Sequence, residues 1–234
     1  MLKIYISLCL FLCSIAIKAQ FIIGDGYVNN NDSHVRTTQT IIDGKPVFGS
    51  PFFDDDWLPG RITLADGGSY NQYLLKYNIL NQVVMFKTGK DSLEADQVIK
   101  EFTLLYPKDA VRFINPTYLK SDKKPMYYKV LSDNAYYSVL ETYTLVVSNI
   151  SDDGMNNKQI KYLKEETAFF YVDKTTEKRV RIKPQSNNIA AILNLTVEDE
   201  KKLLPFVYDF RLEPDVLRFF NHYFLYLTET KEKH

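Results

Sequence analysis

Short segments in which apolar and polar residues alternate recur through the first three quarters of the chain, and this alternation predicts half-buried β-strands. The predicted strands occupy residues 61–64, 73–77, 83–87, 101–105, 110–114, 126–131, 136–147, 167–172 and 179–182. The 17 Tyr and 15 Phe residues favour the same interpretation, because flat rings pack well on a pleated surface. Closely spaced strands with turns between them indicate an antiparallel meander.

Turn-forming residues separate several of these strands. They are Asp66-Gly67-Gly68, Asn81-Gln82, Gly89-Lys90-Asp91 and the segment from Asp173 to Glu177. Residues of these types tolerate a positive φ or bond to their own backbone, and so they favour tight hairpins. A longer polar break, residues 152–157, predicts a sub-boundary near 150–158.

The pattern then changes to helical spacing. Ser186 is expected to cap a first short helix, and Thr196 with Asp199 three residues later has the pattern of a capping box for a second. Pro205 should end or kink this second helix. Glu213-Pro214-Asp215 opens a third helix, because proline and acids are favoured in a first turn.

The predicted fold class is therefore mainly β, of the α+β kind. We expect an antiparallel meander, either a partly closed barrel or a sandwich, followed by two or three short C-terminal helices. The predicted segments are a flexible leader at 20–48, a β-rich domain at 49–183, a helical segment at 184–227 and a polar tail at 228–234.

The amino terminus has the pattern of a secretory signal peptide. Lys3 is followed by an almost wholly apolar run over residues 4–17, and Ala19 supplies the small residue at the cut. The alternative is a retained membrane anchor, but the run is shorter than the roughly 20 residues that a spanning helix needs. Neither Cys9 nor Cys13 follows a small residue, which excludes a lipoprotein site. Residues 1–19 are therefore predicted to be removed on export.

Composition narrows the chemistry of the exported chain. The full chain has two cysteines, Cys9 and Cys13. Removal of residues 1–19 therefore leaves the exported chain without a disulfide, a cysteine nucleophile or a thiolate metal site. The chain has 29 Lys and Arg and 29 Asp and Glu, and export removes Lys3 and Lys18 but no acid. This balance disfavours nucleic acid as a partner. No later apolar segment is long enough to form a transmembrane helix.

Two kinds of acidic group are candidates for chemistry. Asp54-Asp55-Asp56 is a dense oxygen-rich loop of the type that binds calcium, but its acids are contiguous rather than alternate, and a solvated loop anchored by Phe52, Phe53 and Trp57 explains it more simply. Residues 152–157 form a second acidic loop, which is interpreted as a turn.

Glu141 with Glu165-Glu166 is a conceivable carboxylate pair for glycoside cleavage. The nearby aromatic residues, Tyr162, Phe169 and Tyr171, would then stack on sugars, although positions in the core account for them more simply.

Other sites are disfavoured. The histidines are His34, His222 and His234, and their spacing does not match a zinc-binding helix. The sequence also contains no Gly-x-Ser-x-Gly nucleophile elbow. Arg179, Arg181 and Lys183 alternate along one short strand, as expected for its solvent face. We therefore predict no catalytic residue, no cofactor and no metal site.

Several strings resemble a family of secreted proteins that is common in Bacteroidota. They are Gly49-Ser50-Pro51-Phe52-Phe53, Asp56-Trp57, Gly60-Arg61-Ile62, Asp66-Gly67 and Leu75-Lys76-Tyr77-Asn78-Ile79, with Phe169-Phe170-Tyr171 before the helical end. The resemblance implies a cell-envelope or extracellular location and carries no known activity. Asp91-Ser92-Leu93 is also similar to the short O-glycosylation site of that phylum, which makes Ser92 a candidate for modification.

Three functions follow as hypotheses. The first is a secreted or envelope-associated non-catalytic module, in the periplasm, on the outer-membrane surface or outside the cell, with an envelope protein or a glycan as its partner. The second is a carbohydrate-active hydrolase. The third is a carrier of a hydrophobic ligand, which would need an apolar cavity inside the sheet.

Overall fold

The structure is a computed structural model, and it describes residues 39–88, 91–94, 98–116, 125–151, 159–204 and 207–231. Twelve strands and three helices occupy these residues, which confirms a mainly β chain with a helical carboxyl-terminal end. The strands are β1 Gln39–Ile42, β2 Lys45–Phe48, β3 Leu58–Leu64, β4 Ser69–Asn78, β5 Val83–Thr88, β6 Asp91–Glu94, β7 Ile99–Leu105, β8 Ala110–Ile114, β9 Tyr128–Asp133, β10 Tyr137–Ser151, β11 Gln159–Asp173 and β12 Arg179–Ile182.

All twelve strands belong to one sheet. Their order is β1-β2-β11-β10-β9-β8-β7-β3-β4-β5-β6, and β12 pairs with β11 beside this path. Neighbouring strands are antiparallel, except that β2 meets β11 in parallel at Phe48 and Tyr162. The expected antiparallel meander is confirmed, and its large sheet is not closed into a barrel.

Three of the predicted turns have the chemistry that the sequence predicts, while Gly89 and Lys90 of the fourth lie outside the described residues. Gly67 has φ +92° between β3 and β4, and the Asp66 carboxylate accepts a hydrogen bond from the Gly68 N–H. Gln82 turns β4 into β5 with φ +56°. The Asp173 carboxylate accepts bonds from two backbone N–H groups in the turn between β11 and β12.

The predicted sub-boundary near 150–158 falls within the hairpin of β10 and β11. Residues 152–158 lie outside the described residues, but the two strands beside them pair from Tyr137 opposite Asp173 to Ser151 opposite Gln159. The two strands therefore belong to one continuous part of the sheet.

Two hydrophobic cores cover different parts of the sheet. The amino-terminal core contains Ile62, Leu64, Leu75, Tyr77, Ile79, Val84, Ile99, Phe102, Leu104, Phe113, Tyr127 and Tyr143. The carboxyl-terminal core contains Tyr137, Val139, Phe169, Tyr171, Ile182, Ile189, Leu203, Tyr208, Phe210, Val216, Phe219, Phe220 and Tyr223. Strand β10 contributes to both, because Tyr137, Val139 and Tyr143 share one face of it.

The helices are α1 Ser186–Leu193, α2 Val197–Leu203 and α3 Glu213–Lys231. The capping box of α2 is confirmed, since the Thr196 hydroxyl accepts from the Asp199 N–H and the Asp199 carboxylate accepts from the Thr196 N–H. Helix α2 ends two residues before Pro205, as expected for a chain approaching proline.

Three local predictions differ from the structure. Ser186 is the first residue of α1 rather than its cap, which is Gln185. The carboxyl-terminal end of the predicted leader forms the hairpin of β1 and β2, where Asp43 and Gly44 turn the chain with positive φ. Residues 228–231 of the predicted polar tail continue α3, with the Thr230 hydroxyl bonded back to the Tyr226 carbonyl. In the described part of the chain, no helix combines the length and apolar character needed to cross a membrane.

Candidate functional site

A buried charge cluster lies where the two cores meet on β10. Lys129 on β9 is directly opposite Glu141 on β10, and their side chains approach to 3.4 Å. The Lys129 Nζ also lies 2.7 Å from the Glu213 carboxylate at the start of α3. The Tyr143 hydroxyl donates to Glu141 at 2.5 Å. One ammonium group therefore holds two carboxylates and joins the sheet to the helix.

Alternation along β10 explains why Glu141 is buried. Tyr137, Val139, Glu141 and Tyr143 point to the same face, so a residue between two apolar cores is covered by both. Only 3% of Glu141 is exposed. A carboxylate at such a position requires a cation and hydrogen-bond donors, because its own desolvation is costly.

The surroundings of Glu141 raise its pKa. Burial raises the pKa of Glu141 above its ordinary value, and the neighbouring Glu213 charge acts in the same direction, while Tyr143 and Lys129 oppose the shift. The pKa of Tyr143 is also raised, first by burial and then by its hydrogen bond to Glu141. Tyr143 therefore remains a neutral donor, and the cluster is a closed network rather than an open acid–base pair.

The structure separates the carboxylates that the sequence grouped for glycoside cleavage. Glu165 is opposite Leu145 and shares the face of Tyr143, whereas Glu166 points to the other face and pairs with Lys164. Burial raises the pKa of Glu165. Four residues along the strands separate Glu141 from Glu165, about 13 Å of strand. Glu141 and Glu165 therefore do not form the proposed pair. The fold instead brings Glu213 close to Glu141, although no sequence pattern links these two residues.

The aromatic residues proposed for sugar stacking serve the core. Phe169 and Tyr171 are buried, and Tyr171 stacks on Phe220 of α3 with ring centroids 5.9 Å apart. Tyr162 is half-buried where β11 meets β2. Phe169 and Tyr171 are therefore core residues, as the alternative interpretation expects.

The acidic loop at residues 54–56 bonds within the protein. The Asp54 carboxylate accepts from the Tyr106 hydroxyl at 3.0 Å and from the Asp56 N–H. The Asp55 carboxylate accepts a hydrogen bond from the Ser50 hydroxyl, and the Asp55 backbone carbonyl accepts one from the Lys76 ammonium.

The aromatic residues beside this loop anchor it in two ways. Phe53 packs edge-on against Phe113 and Tyr143 at 5.0 Å, as the core interpretation expects. Phe52 and Trp57 instead flank the Lys76 ammonium, at 4.4 and 5.8 Å from their ring centroids.

The remaining sequence candidates divide between described and undescribed residues. His222 is half-buried on α3, whereas His34, His234 and the acidic loop at 152–157 lie outside the described residues. Ser92 is on β6, the last strand of the sheet order, which pairs with β5. Among the described residues, no group of three His, Cys, Asp or Glu side chains is arranged to hold a metal ion.

A second feature was missed by the sequence reasoning, which placed the cations around β12 on a solvent face. Arg179 stacks on the rings of Tyr128 and Phe170, at 4.8 and 5.6 Å. Arg181 and Lys183 instead line a groove at the outer edge of β11, together with Arg211 from the segment before α3. The groove depends on contacts between distant residues, and so no local pattern predicts it.

Comparison with known proteins identifies no relative. No protein-family model matches the chain, and neither a curated protein nor a solved structure shows significant similarity to it. The resemblance to secreted proteins of Bacteroidota therefore stays a prediction.

Proposed function

We propose that this chain is an exported, non-catalytic binding or structural module of the cell envelope. It acts in the periplasm, on the outer-membrane surface or outside the cell, and its partner is an envelope protein or a glycan. The pattern of residues 1–19 supports export.

One observation carries the non-catalytic part of the proposal. Glu141, the most deeply buried acid of the described residues, is enclosed by Lys129 and Tyr143 and contacts the helix through Lys129. A general acid or a nucleophile must reach its substrate. A carboxylate 3% exposed between two packed cores supports a structural role instead.

The other two functions receive less support. A glycosidase would need two carboxylates across a cleft, but Glu141 and Glu213 share one lysine. A carrier would need an apolar cavity, and the rings of the amino-terminal core pack against each other where the ligand would lie. Phe102 stacks on Phe113 with centroids 4.7 Å apart, and Tyr77 contacts both rings.

Two assays test the proposal. The purified exported chain should leave labelled envelope glycans uncleaved, and hydrolysis that disappears in Glu141→Gln or Glu213→Gln would contradict it. The immobilised chain should enrich one envelope component saturably. A chain that hydrolyses a glycan with multiple turnovers is an enzyme, whatever it binds.

A further inference from the structure

The outer edge of β11 is paired at two places and open between them. It meets β2 at Tyr162 and β12 from Phe169 onward. Gly49 follows β2 and packs closely on Leu163, where a Cβ on the glycine would lie 3.1 Å from the Leu163 Cβ. Residues 164–168, here called the free edge, pair with β10 on their inner side and have no strand partner on their outer side in the part of the chain that the structure describes. An open edge presents N–H and C=O groups to an incoming strand.

A groove lies along the β12 end of the free edge. Its volume is ≈ 390 Å³. It is lined by Thr167, Ala168, Phe169, Arg181, Ile182, Lys183, Pro184, Gln185, Phe210 and Arg211. Phe169, Ile182 and Phe210 belong to the carboxyl-terminal core and are buried, so the floor is fixed before anything binds.

The groove is cationic. Arg181, Lys183 and Arg211 are exposed, and no acidic residue is among those that line the groove. Glu165 and Glu166 are exposed at the other end of the free edge, so the carboxylates of a ligand are directed to the β12 end. Arg211 forms a bidentate pair with Asp209. Arg181 and Lys183 have no ion-pair partner among the described residues, and two cations are therefore available to an anionic ligand. Arg181 points to the face opposite Ile182, so its charge borders the edge on the side away from the carboxyl-terminal core.

We propose that the groove binds an extended peptide segment that carries at least two carboxylates. The segment adds a short strand to the free edge, and its carboxylates pair with Arg181 and Lys183. Main-chain hydrogen bonds then supply affinity, while the charges supply selectivity and orientation. A free edge of this length spans about 16 Å, so the bound stretch is about five residues long. This inference rests on the proposed binding function and gives that function a ligand class.

Fluorescence anisotropy with the purified full chain tests the proposal. The probe is a dye-labelled peptide of alternating valine and glutamate, capped at both ends, and its matched control has glutamine at every glutamate. We expect saturable binding of the glutamate peptide in the micromolar range, and at least about tenfold weaker binding of the glutamine peptide. Methylation of alternate backbone nitrogens should weaken binding to a similar degree, because it removes strand donors.

Two pairs of variants distinguish binding at the groove from a general effect of the net charge of the chain. Arg181→Glu with Lys183→Glu should weaken binding at least about tenfold, whereas Lys178→Glu with Lys201→Glu, which changes net charge equally at exposed positions elsewhere, should retain it. Unchanged thermal unfolding shows that each variant is folded. Equal losses in both pairs, no binding up to millimolar peptide, or tight binding of the methylated peptide would overturn the proposal. Each of these results concerns this groove alone, so capture of an envelope component by the same chain would still support the broader function.

Discussion

At the scale of single residues, Lys129 decides whether the junction of the two cores is stable. Its ammonium compensates Glu141 on the adjacent strand and Glu213 on α3. Buried ion pairs add little net stability when complete, but removing one partner leaves a charge that water cannot reach. Removing one partner should therefore cost more stability in a buried ion pair than in an exposed one.

Lys129→Met should lower the free energy of unfolding by about 3–5 kcal/mol at neutral pH, because Glu141 is left without a cation. The exposed pair of Lys164 and Glu166 provides the control, and Lys164→Met should cost less than about 1 kcal/mol. Urea denaturation followed by circular dichroism measures both. Equal effects of the two substitutions would mean that Lys129 is not a structural tie.

Glu141 should also make stability depend on pH. A carboxyl group with a higher pKa in the folded than in the unfolded chain stabilises the fold below the unfolded pKa, and this contribution is lost as the pH rises through the folded pKa. Burial raises the pKa of Glu141 above its ordinary 4.5. The wild-type protein should therefore lose stability relative to Glu141→Gln as the pH rises from 4.5.

Denaturation of both proteins across this pH range measures the difference. Glu166→Gln, at an exposed position of the neighbouring strand, is the matched control. Its free energy of unfolding should change with pH in the same way as that of the wild type. A difference between wild type and Glu141→Gln that stays constant with pH would contradict the raised pKa.

At the scale of secondary-structure elements, close packing of β3 on its neighbours depends on Gly60. A Cβ at this position would lie 2.4 Å from Leu75 Cδ1 and 2.5 Å from the Thr103 carbonyl oxygen. The second contact is with backbone, so it cannot be relieved by a rotamer change. Gly60 also sits at the irregularity in register between β3 and β4.

Gly60→Ala should therefore destabilise the protein by about 1–3 kcal/mol, the usual cost of forcing atoms into a packed site. Gly68→Ala is the comparison, because its tightest contact would be with the end of the Asp66 side chain, at 3.1 Å, and its other contacts, with Leu64 and Tyr70, would be at ordinary van der Waals distance. Differential scanning calorimetry should show a larger fall in melting temperature for Gly60→Ala. The reverse order would mean that the strands separate easily at this point.

Local sequence patterns predicted most elements but not their arrangement. Strand β8 was predicted with its observed limits, and the capping box of α2 was identified from two residues, because alternation and capping act over a few positions. The first half of β11 was missed. Its charged run at residues 164–166 lies on the open part of an edge, where both faces of a strand tolerate polar residues. The contact of Glu213 with Lys129 joins residues 84 positions apart, and no periodicity records such a distance.

At the scale of the whole molecule, β10 connects the two cores. Tyr137 and Val139 pack under the helices, and Tyr143 packs with Phe53 and the amino-terminal strands on the same face. A strand shared in this way cannot unfold in one half and remain ordered in the other. The two cores should therefore unfold together.

Trp57, the single tryptophan, reports on the amino-terminal half and so tests this cooperativity. Phe220→Ala removes a fully buried ring from the opposite core and should cost about 3–5 kcal/mol. The urea midpoint measured by Trp57 fluorescence should fall with it, as it should for Phe113→Ala in the amino-terminal core. An unchanged Trp57 midpoint in Phe220→Ala would indicate two independently unfolding units.

Export is the claim on which the proposed function depends most, because an envelope partner is accessible only to a chain that leaves the cytoplasm. Mass spectrometry of the native protein, recovered from separated cytosolic, envelope and medium fractions, tests it directly. The predicted result is a chain that begins at Gln20 in the envelope or medium. A chain that retains residues 1–19 and is found among cytosolic proteins would contradict it.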